Sequence, residues 1–537
     1  MNPTTDTVQT THSRTGIALH ARAEHLLLPG LLMGIAGDYL LREGPHGPGL
    51  FLWLALLAAF ALWLMRGAGA ERLRSIATWS AVALCAALVT MLRDLDGMIA
   101  AMLVVVLLCA VITSLQTSGV ALRAAQVRDY VVTGFSFPLQ MLTLTPRLLH
   151  QADLSAVTRN QRAPGIVRGI LLAIPVLLIF GMLFAAADAG FSQYLAAATG
   201  VISPRTLQHL LLALIFGWLA TSLLGMACRA APAGSLSAGN TALPDSAAPL
   251  RIGATETHVV LLLVSVLFAS FVLLQLGYLF GGTDVIVNTS GLTVAEHARR
   301  GFFELVVVSM LTLAFLFGVS MTDCEPRILR RYGSVLIACV LVILVSALQR
   351  LFLYTDAFGL TIERFSALAA IGWIVFNLLS FSVTVLRGNV RGFASGIAIS
   401  GIGCLLLFGF INPAGMVARI NLERSIEGNP PLDAAYLAEL GADTIPLVLE
   451  RFDELEPAAQ CSFAAAIVAR YPEAVTGEST GADEDWRFWN IARMSARSAI
   501  FEHSEEIRAA SERFQRAAAD AAARAAAQGG GAVAISC

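Results

Sequence analysis

The sequence predicts an all-α polytopic membrane bundle of about eleven spans, followed by a small helical soluble domain. Three observations predict it. Hydrophobic residues make up 56% of the chain, charged residues 14%, and the mean hydropathy is +0.71. Soluble domains carry about 25% charged residues. Apolar runs recur near the roughly 20 residues that a helix needs to cross a bilayer. After Asn412-Pro413 the apolar runs stop, and residues 414–537 hold eleven arginines and many acids.

The spans are expected at 24–41, 49–65, 75–92, 97–115, 166–187, 206–227, 257–280, 302–320, 333–349, 366–386 and 392–411. Helix is expected because an open strand edge in lipid leaves backbone groups unpaired. The segment before them, 1–23, is polar, and the first apolar run lacks a small-residue cleavage site, so it reads as a retained span. The expected division is 1–23, a membrane domain 24–412, a helical domain 413–526 and a disordered 527–537.

All 36 basic residues are arginine, which fits a GC-rich bacterial genome. With the N-terminus in the cytoplasm, about 18 arginines fall inside and about seven on short outer loops, as the positive-inside rule requires. Arg66, Arg72, Arg74, Arg123, Arg128, Arg147, Arg327, Arg330, Arg331, Arg387 and Arg391 are inside on that count. The C-terminal domain is then extracytoplasmic, in a bacterial inner membrane. The stretch "DYVVTGFSFPLQMLTLT" at 129–145 is apolar enough to lie in the interface, to re-enter or to span, and a span there moves every later loop to the other side.

Two outer connections share one chemistry. "SGLTVAEHARRGFFEL" begins at Ser290, with Thr293 and Glu296 at capping-box spacing; "QRLFLYTDAFGLTIERF" runs from Gln349, with Gly359 as a break and Thr361 as a cap. "LLQLGYLF" and "ALQRLFLY" precede them. This suggests either parallel copies of one helix–loop–helix unit or convergent capping. In the C-terminal region "LDAAYLAELGADTIPLVLERFDEL" has helical periodicity, with Asp433 as a cap and Gly441 as a stop.

Candidate binding residues are Arg350, Tyr354 and Arg364 around the second connection. Two guanidiniums and a phenol suit a phosphate or carboxylate; the structural alternative is that the arginines lock the hairpin. Arg300 and Glu304, four apart, are either an ion contact or a neutralised interfacial pair. Asp485, Trp486, Arg487, Trp489 and Arg493, with Asn490, form a polar–aromatic set in which Trp486, Trp489 and Arg493 share one helical face. That set serves either ligand binding or docking onto the membrane domain. Asp38, Arg42, Arg93, Asp94, Asp96 and Asp188 are further outer charges.

The eight cysteines show no ligand spacing and no disulfide framework, and no metal or other cofactor is expected. A net charge of -2 and no basic domain argue against nucleic acid. The expected partners are the lipid bilayer and an extracytoplasmic ligand or protein.

In order, "LLQLGYLFGG", "GLTVAEHARRGFFEL", "QRLFLYTDAFGLTIERF", "INPAGMVARINLER", "LDAAYLAELGADTIPLVL" and "DWRFWNIAR" resemble a bacterial multi-pass membrane family, from about residue 260 to 493. It is catalogued as a domain of unknown function, the four-one-seven-three family. The histidine in "AEHARR" stands where that family has an aromatic. The resemblance implies a membrane architecture joined to the C-terminal domain, and no activity. Three functions fit the sequence: a non-enzymatic sensor or scaffold, a transporter of a small anionic solute, and an enzyme acting on a lipid-linked substrate.

Overall fold

The computed structural model describes residues 24–42, 44, 47–125, 127–151, 188, 204–229, 254–280, 302–322, 325–390, 392–428, 432–477 and 485–527. Among them the fold is all-α. The bundle helices are α1 (Glu24–Leu41), α2 (Pro48–Leu64), α3 (Ala70–Leu92), α4 (Asp96–Thr117), α5 (Val127–Gln151), α6 (Pro204–Ala227), α7 (Ala254–Phe280), α8 (Phe302–Ser320), α9 (Pro326–Phe358), α10 (Ile362–Val383) and α11 (Phe393–Ile411). Among the described residues seven helices are long and apolar enough to cross a membrane, and His25–Leu41, Pro48–Leu64 and Glu304–Ser320 are shorter apolar helices. The expected span 166–187, the first Gly-Leu-Thr connection with Thr293 and Glu296, and the segments 1–23 and 528–537 lie outside the described residues.

Side-chain contacts fix the helix directions. Asp38 near the end of α1 meets His209 near the start of α6, while Gly30 lies against Thr221. The two helices are therefore antiparallel. A Cβ on Gly34 would stand 2.3 Å from the Ala213 carbonyl and 2.9 Å from the Gly217 Cα. Only glycine permits that approach, which gains dispersion contact where lipid offers no hydrophobic drive. The other half centres on α9, which packs between α7, α8 and α10 through buried Leu336, Val340, Ile343 and Ala347.

Arginines gather at one end of the bundle. Arg72, in the first turn of α3, donates to the Arg229 carbonyl just past α6, and Arg330 near the start of α9 donates to the Leu386 carbonyl after α10. The stretch 129–145 forms most of α5, which begins and ends at this same end. The chain entering it passes beside Gly392, before α11, and its Leu144 and Leu148 touch Gly225 near the close of α6. One face of α5 packs inward, with Ser222 bonded to Thr145 at 2.8 Å and Trp218 Nε1 donating to the Met141 carbonyl at 3.0 Å. Val131, Phe135, Leu139 and Leu142 form its exposed apolar face.

The C-terminal tail sits at the opposite end. It comprises α12 (Pro413–Ile426), α13 (Ala434–Glu439), α14 (Ile445–Leu449), α15 (Pro457–Arg470), α16 (Pro472–Thr476), α17 (Ile491–Glu502) and α18 (Ser504–Ala527). Asn412, in the left-handed region at φ 60°, turns the chain from α11 into α12 and caps it by accepting from the Gly415 amide at 3.0 Å. Asp433 caps α13 by accepting from the Tyr436 amide at 3.0 Å. Val417, Leu437, Val448, Phe463, Ile467, Ala496 and Ile507 close one apolar core.

Two expectations are corrected here. Cys461, in α15, is disulfide-bonded, whereas no framework was expected because the spacing carried no motif. Trp486, Trp489 and Arg493 do not share a helix. Asp485 takes the Arg487 amide and holds Trp486–Phe488 as a 3-10 turn, and Asn490 accepts from the Arg493 amide and starts α17 at Ile491.

Candidate functional site at the bundle–tail seam

The second Gly-Leu-Thr connection is the first point of attachment. Gly359 ends α9 at φ 76°, and Thr361 caps α10 by accepting from the Arg364 amide at 3.5 Å. The Arg364 guanidinium turns back onto the free carbonyls of α9. It donates to Gly359, and to Phe358 at 3.4 Å, while lying 4.2 Å over the Tyr354 ring. A cation at a helix C-terminus is favoured by the helix dipole, and the ring adds a cation–π contact. Arg350 goes elsewhere: it donates to Gln275 Oε1 on α7 at 3.1 Å, beside Ser346, which donates to the same oxygen at 2.7 Å. So Tyr354 and Arg364 come together and Arg350 stands apart. Glu304 is exposed in the first turn of α8, and Arg300 lies outside the described residues.

The tail grips this hairpin through groups that the sequence reading did not single out. Asn421 of α12 pairs with Leu360 twice, accepting from its amide at 2.8 Å and donating to its carbonyl at 2.7 Å. Tyr436 OH accepts from the Ile362 amide at 2.9 Å, and burial pushes that phenol up. Arg424 donates to the Thr355 carbonyl at 2.9 Å and to Asp356 Oδ1 at 3.2 Å. Leu360 itself belongs to the tail's apolar core.

The second attachment is the α3–α4 loop. Arg93 donates to the Gly409 and Phe410 carbonyls that end α11, at 3.1 and 2.9 Å, and to Asp443 Oδ1 at 3.3 Å. Asp443 Oδ2 accepts from the Asp94 amide at 2.9 Å. Arg493 Nε donates to Asp94 Oδ1 at 2.6 Å, and Asn490 Nδ2 donates to the Thr90 and Arg93 carbonyls at 3.1 and 3.0 Å. Burial pushes the Asp443 carboxyl above its ordinary range, opposed by the Asp94 amide and Arg93. Desolvation therefore outweighs two favourable partners at this carboxyl.

The third attachment is the α1–α2 loop. Arg487 donates to the Tyr39 carbonyl at 2.6 Å and lies 5.0 Å from the Tyr39 ring, and Trp486 stands 6.4 Å from that ring. A Cβ on Gly47 would fall 2.4 Å from the Arg487 carbonyl, so the two backbones touch. Hydrogen bonds from Arg487 hold the Asp485 carboxyl below its ordinary range. The polar–aromatic set thus faces the bundle at Arg487, Asn490 and Arg493, while Trp486 and Trp489 stay half exposed.

Close by, Asp38 Oδ2 lies 2.8 Å from His209 Nδ1, and an Arg42 guanidinium nitrogen lies 2.7 Å from His209 Nε2. The same Arg42 nitrogen lies 3.0 Å from His209 Nδ1, so the three side chains form one polar cluster. The buried Asp38 Oδ1 has no hydrogen-bond partner. Asp96 and Asp188 are exposed. A cleft of about 400 Å³ opens where α3, α11 and α12 meet the tail, lined among others by Arg93, Asn412, Arg419, Asp443 and Ser495.

Fold and seam together define a helical membrane protein with a helical domain docked on its loops. Residues 49–450 match the family described as Domain of unknown function (DUF4153). The match covers more than half of the chain, and the chain belongs to that family. The match supports a domain of unknown function, as the motifs suggest, without confirming the four-one-seven-three family that they resemble, and it reaches back through the early spans, where distinctive motifs are sparse. No curated protein and no solved structure matches the chain.

Proposed function

We propose that the protein is a non-enzymatic sensor or scaffold of a bacterial inner membrane, with its helical tail on the extracytoplasmic side. The observation that carries this reading is the three-point seam. Loops from the α1–α2, α3–α4 and α9–α10 connections all bind one tail through Arg487, Asp443 with Arg493, and Asn421. A shift between the two halves of the bundle must therefore move or release the tail, so tail position reports bundle state. Two further features support the orientation: the arginines at the other end, and the disulfide at Cys461, since such bonds persist in oxidising compartments.

The test is labelling of Arg516→Cys, at an exposed tail position, with a membrane-impermeant maleimide in cells whose outer layer is permeabilised. Labelling before lysis agrees with the reading; protection until lysis contradicts it. A second reading, transport of a small anionic solute, draws on the Asp38–His209–Arg42 cluster, because ionisable groups near spans often line ion paths. Altered uptake in a His209→Ala strain, with the tail still docked, would favour transport over the scaffold.

A further inference from the structure

We propose that the cleft between α12 and the ends of α3 and α11 binds a phosphate anion, carried by the headgroup of an anionic membrane lipid. Its place is the first argument. Leu92 and Ile411 close the apolar runs of α3 and α11 and form the cleft's membrane-side wall. A group lodged there sits at headgroup depth, with its acyl chains free to run along those helices.

Charge is the second argument. The ionisable lining residues are Arg93, Arg419 and Asp443. Asp443 is committed to Arg93 and to the Asp94 amide, and Arg93 is further bound by the Gly409 and Phe410 carbonyls. Arg419 is exposed and makes no ion pair or side-chain hydrogen bond among the described residues. The lining therefore carries one cation in excess. On its other side Arg419 borders a second hollow with Glu423 and Glu450, and it bonds neither. A guanidinium with its forked donors unfilled matches two phosphate oxygens.

Shape is the third. About 400 Å³ holds a headgroup but not a whole lipid. Gly415, in the first turn of α12, lines the cleft with its amide already bonded to Asn412 Oδ1. Asn412, held at φ 60° on the same wall, fixes that helix start. This site would operate whether or not the tail signals.

Purified full-length protein, examined by native mass spectrometry with added phosphatidylglycerol, phosphatidylcholine or inorganic phosphate, tests the proposal. Wild type should retain one phosphatidylglycerol in preference to phosphatidylcholine. Arg419→Gln should weaken that retention roughly tenfold, as expected for loss of a charge-assisted pair. Ser495→Trp, at an exposed lining position, should block it by filling the cleft without changing charge. Displacement of the lipid by inorganic phosphate would show that the site takes the phosphate group itself, and retention of phosphate alone would make free phosphate the source. Equal retention of phosphatidylglycerol by wild type and both variants, or no preference over phosphatidylcholine, would overturn the proposal.

Discussion

At the α9–α10 hairpin the tail takes a bundle residue into its own core, whereas at the α3–α4 loop it meets the bundle through charges. Leu360 is 9% exposed and packs with Val417, Leu437 and their neighbours, framed by paired hydrogen bonds from Asn421. The α3–α4 loop instead offers Arg93 and Asp94 to Asp443 and Arg493. Burial of an aliphatic side chain is insensitive to salt and pH, but ion pairs respond to both. The difference teaches that the tail has a fixed side and a releasable side.

The largest expected effect breaks the fixed side. Leu360→Ala removes buried methyl groups and leaves a cavity, so the tail should lose about 2–5 kcal/mol of stability, read as a lowered denaturation midpoint. Asn421→Ala strands a backbone amide and a carbonyl of Leu360 and should cost about 1–3 kcal/mol. Rapid proteolysis within residues 413–527 of either variant, with the bundle intact, would report it.

On the releasable side Asp443 supplies a pH dependence. Its folded-state value lies above the ordinary 3.8 because burial penalises the anion. Its contribution is therefore complete below the unfolded value and is lost as pH rises through the folded one. The stability of wild type relative to Asp443→Asn should be greater at pH 4 than at pH 7; a difference that grows with rising pH would refute this assignment. The smallest effect is expected of Arg493→Gln. Its partner Asp94 is buried but Arg493 is about a third exposed, so the loss should be about 0.5–1 kcal/mol and should shrink in high salt.

Local chemistry made part of this legible in the sequence. The apolar runs marked the described bundle helices except α5, seven of them long enough to cross a membrane, and Thr361 and Asp433 cap helices as their positions suggest, because a cap bonds an amide two or three residues away. The site itself was legible as separate polar residues, not as the contacts they make. Arg93 and Asp94 stood out as charges between apolar runs, and Arg487 and Arg493 as members of the polar–aromatic set, but Asp443 lies 350 residues from Arg93, and His209 lies 171 from Asp38. Nothing local links such pairs. Asn421 and Arg424 looked like the polar face of an ordinary helix, although backbone groups of the hairpin had to find partners somewhere. Arg364, read either as an anion contact or as a hairpin lock, turns onto the unfilled carbonyls at the end of α9.

The division into a fixed and a releasable attachment can be tested with two spin-label pairs measured by double electron–electron resonance in full-length protein. One pair, at Gly97 and Met494, spans the charged side; the other, at Ala357 and Glu427, spans the hairpin, and all four positions are exposed. Arg493→Glu should broaden and lengthen the first distance distribution and leave the second sharp. Two distributions that stay unchanged, or that broaden together, would contradict the account.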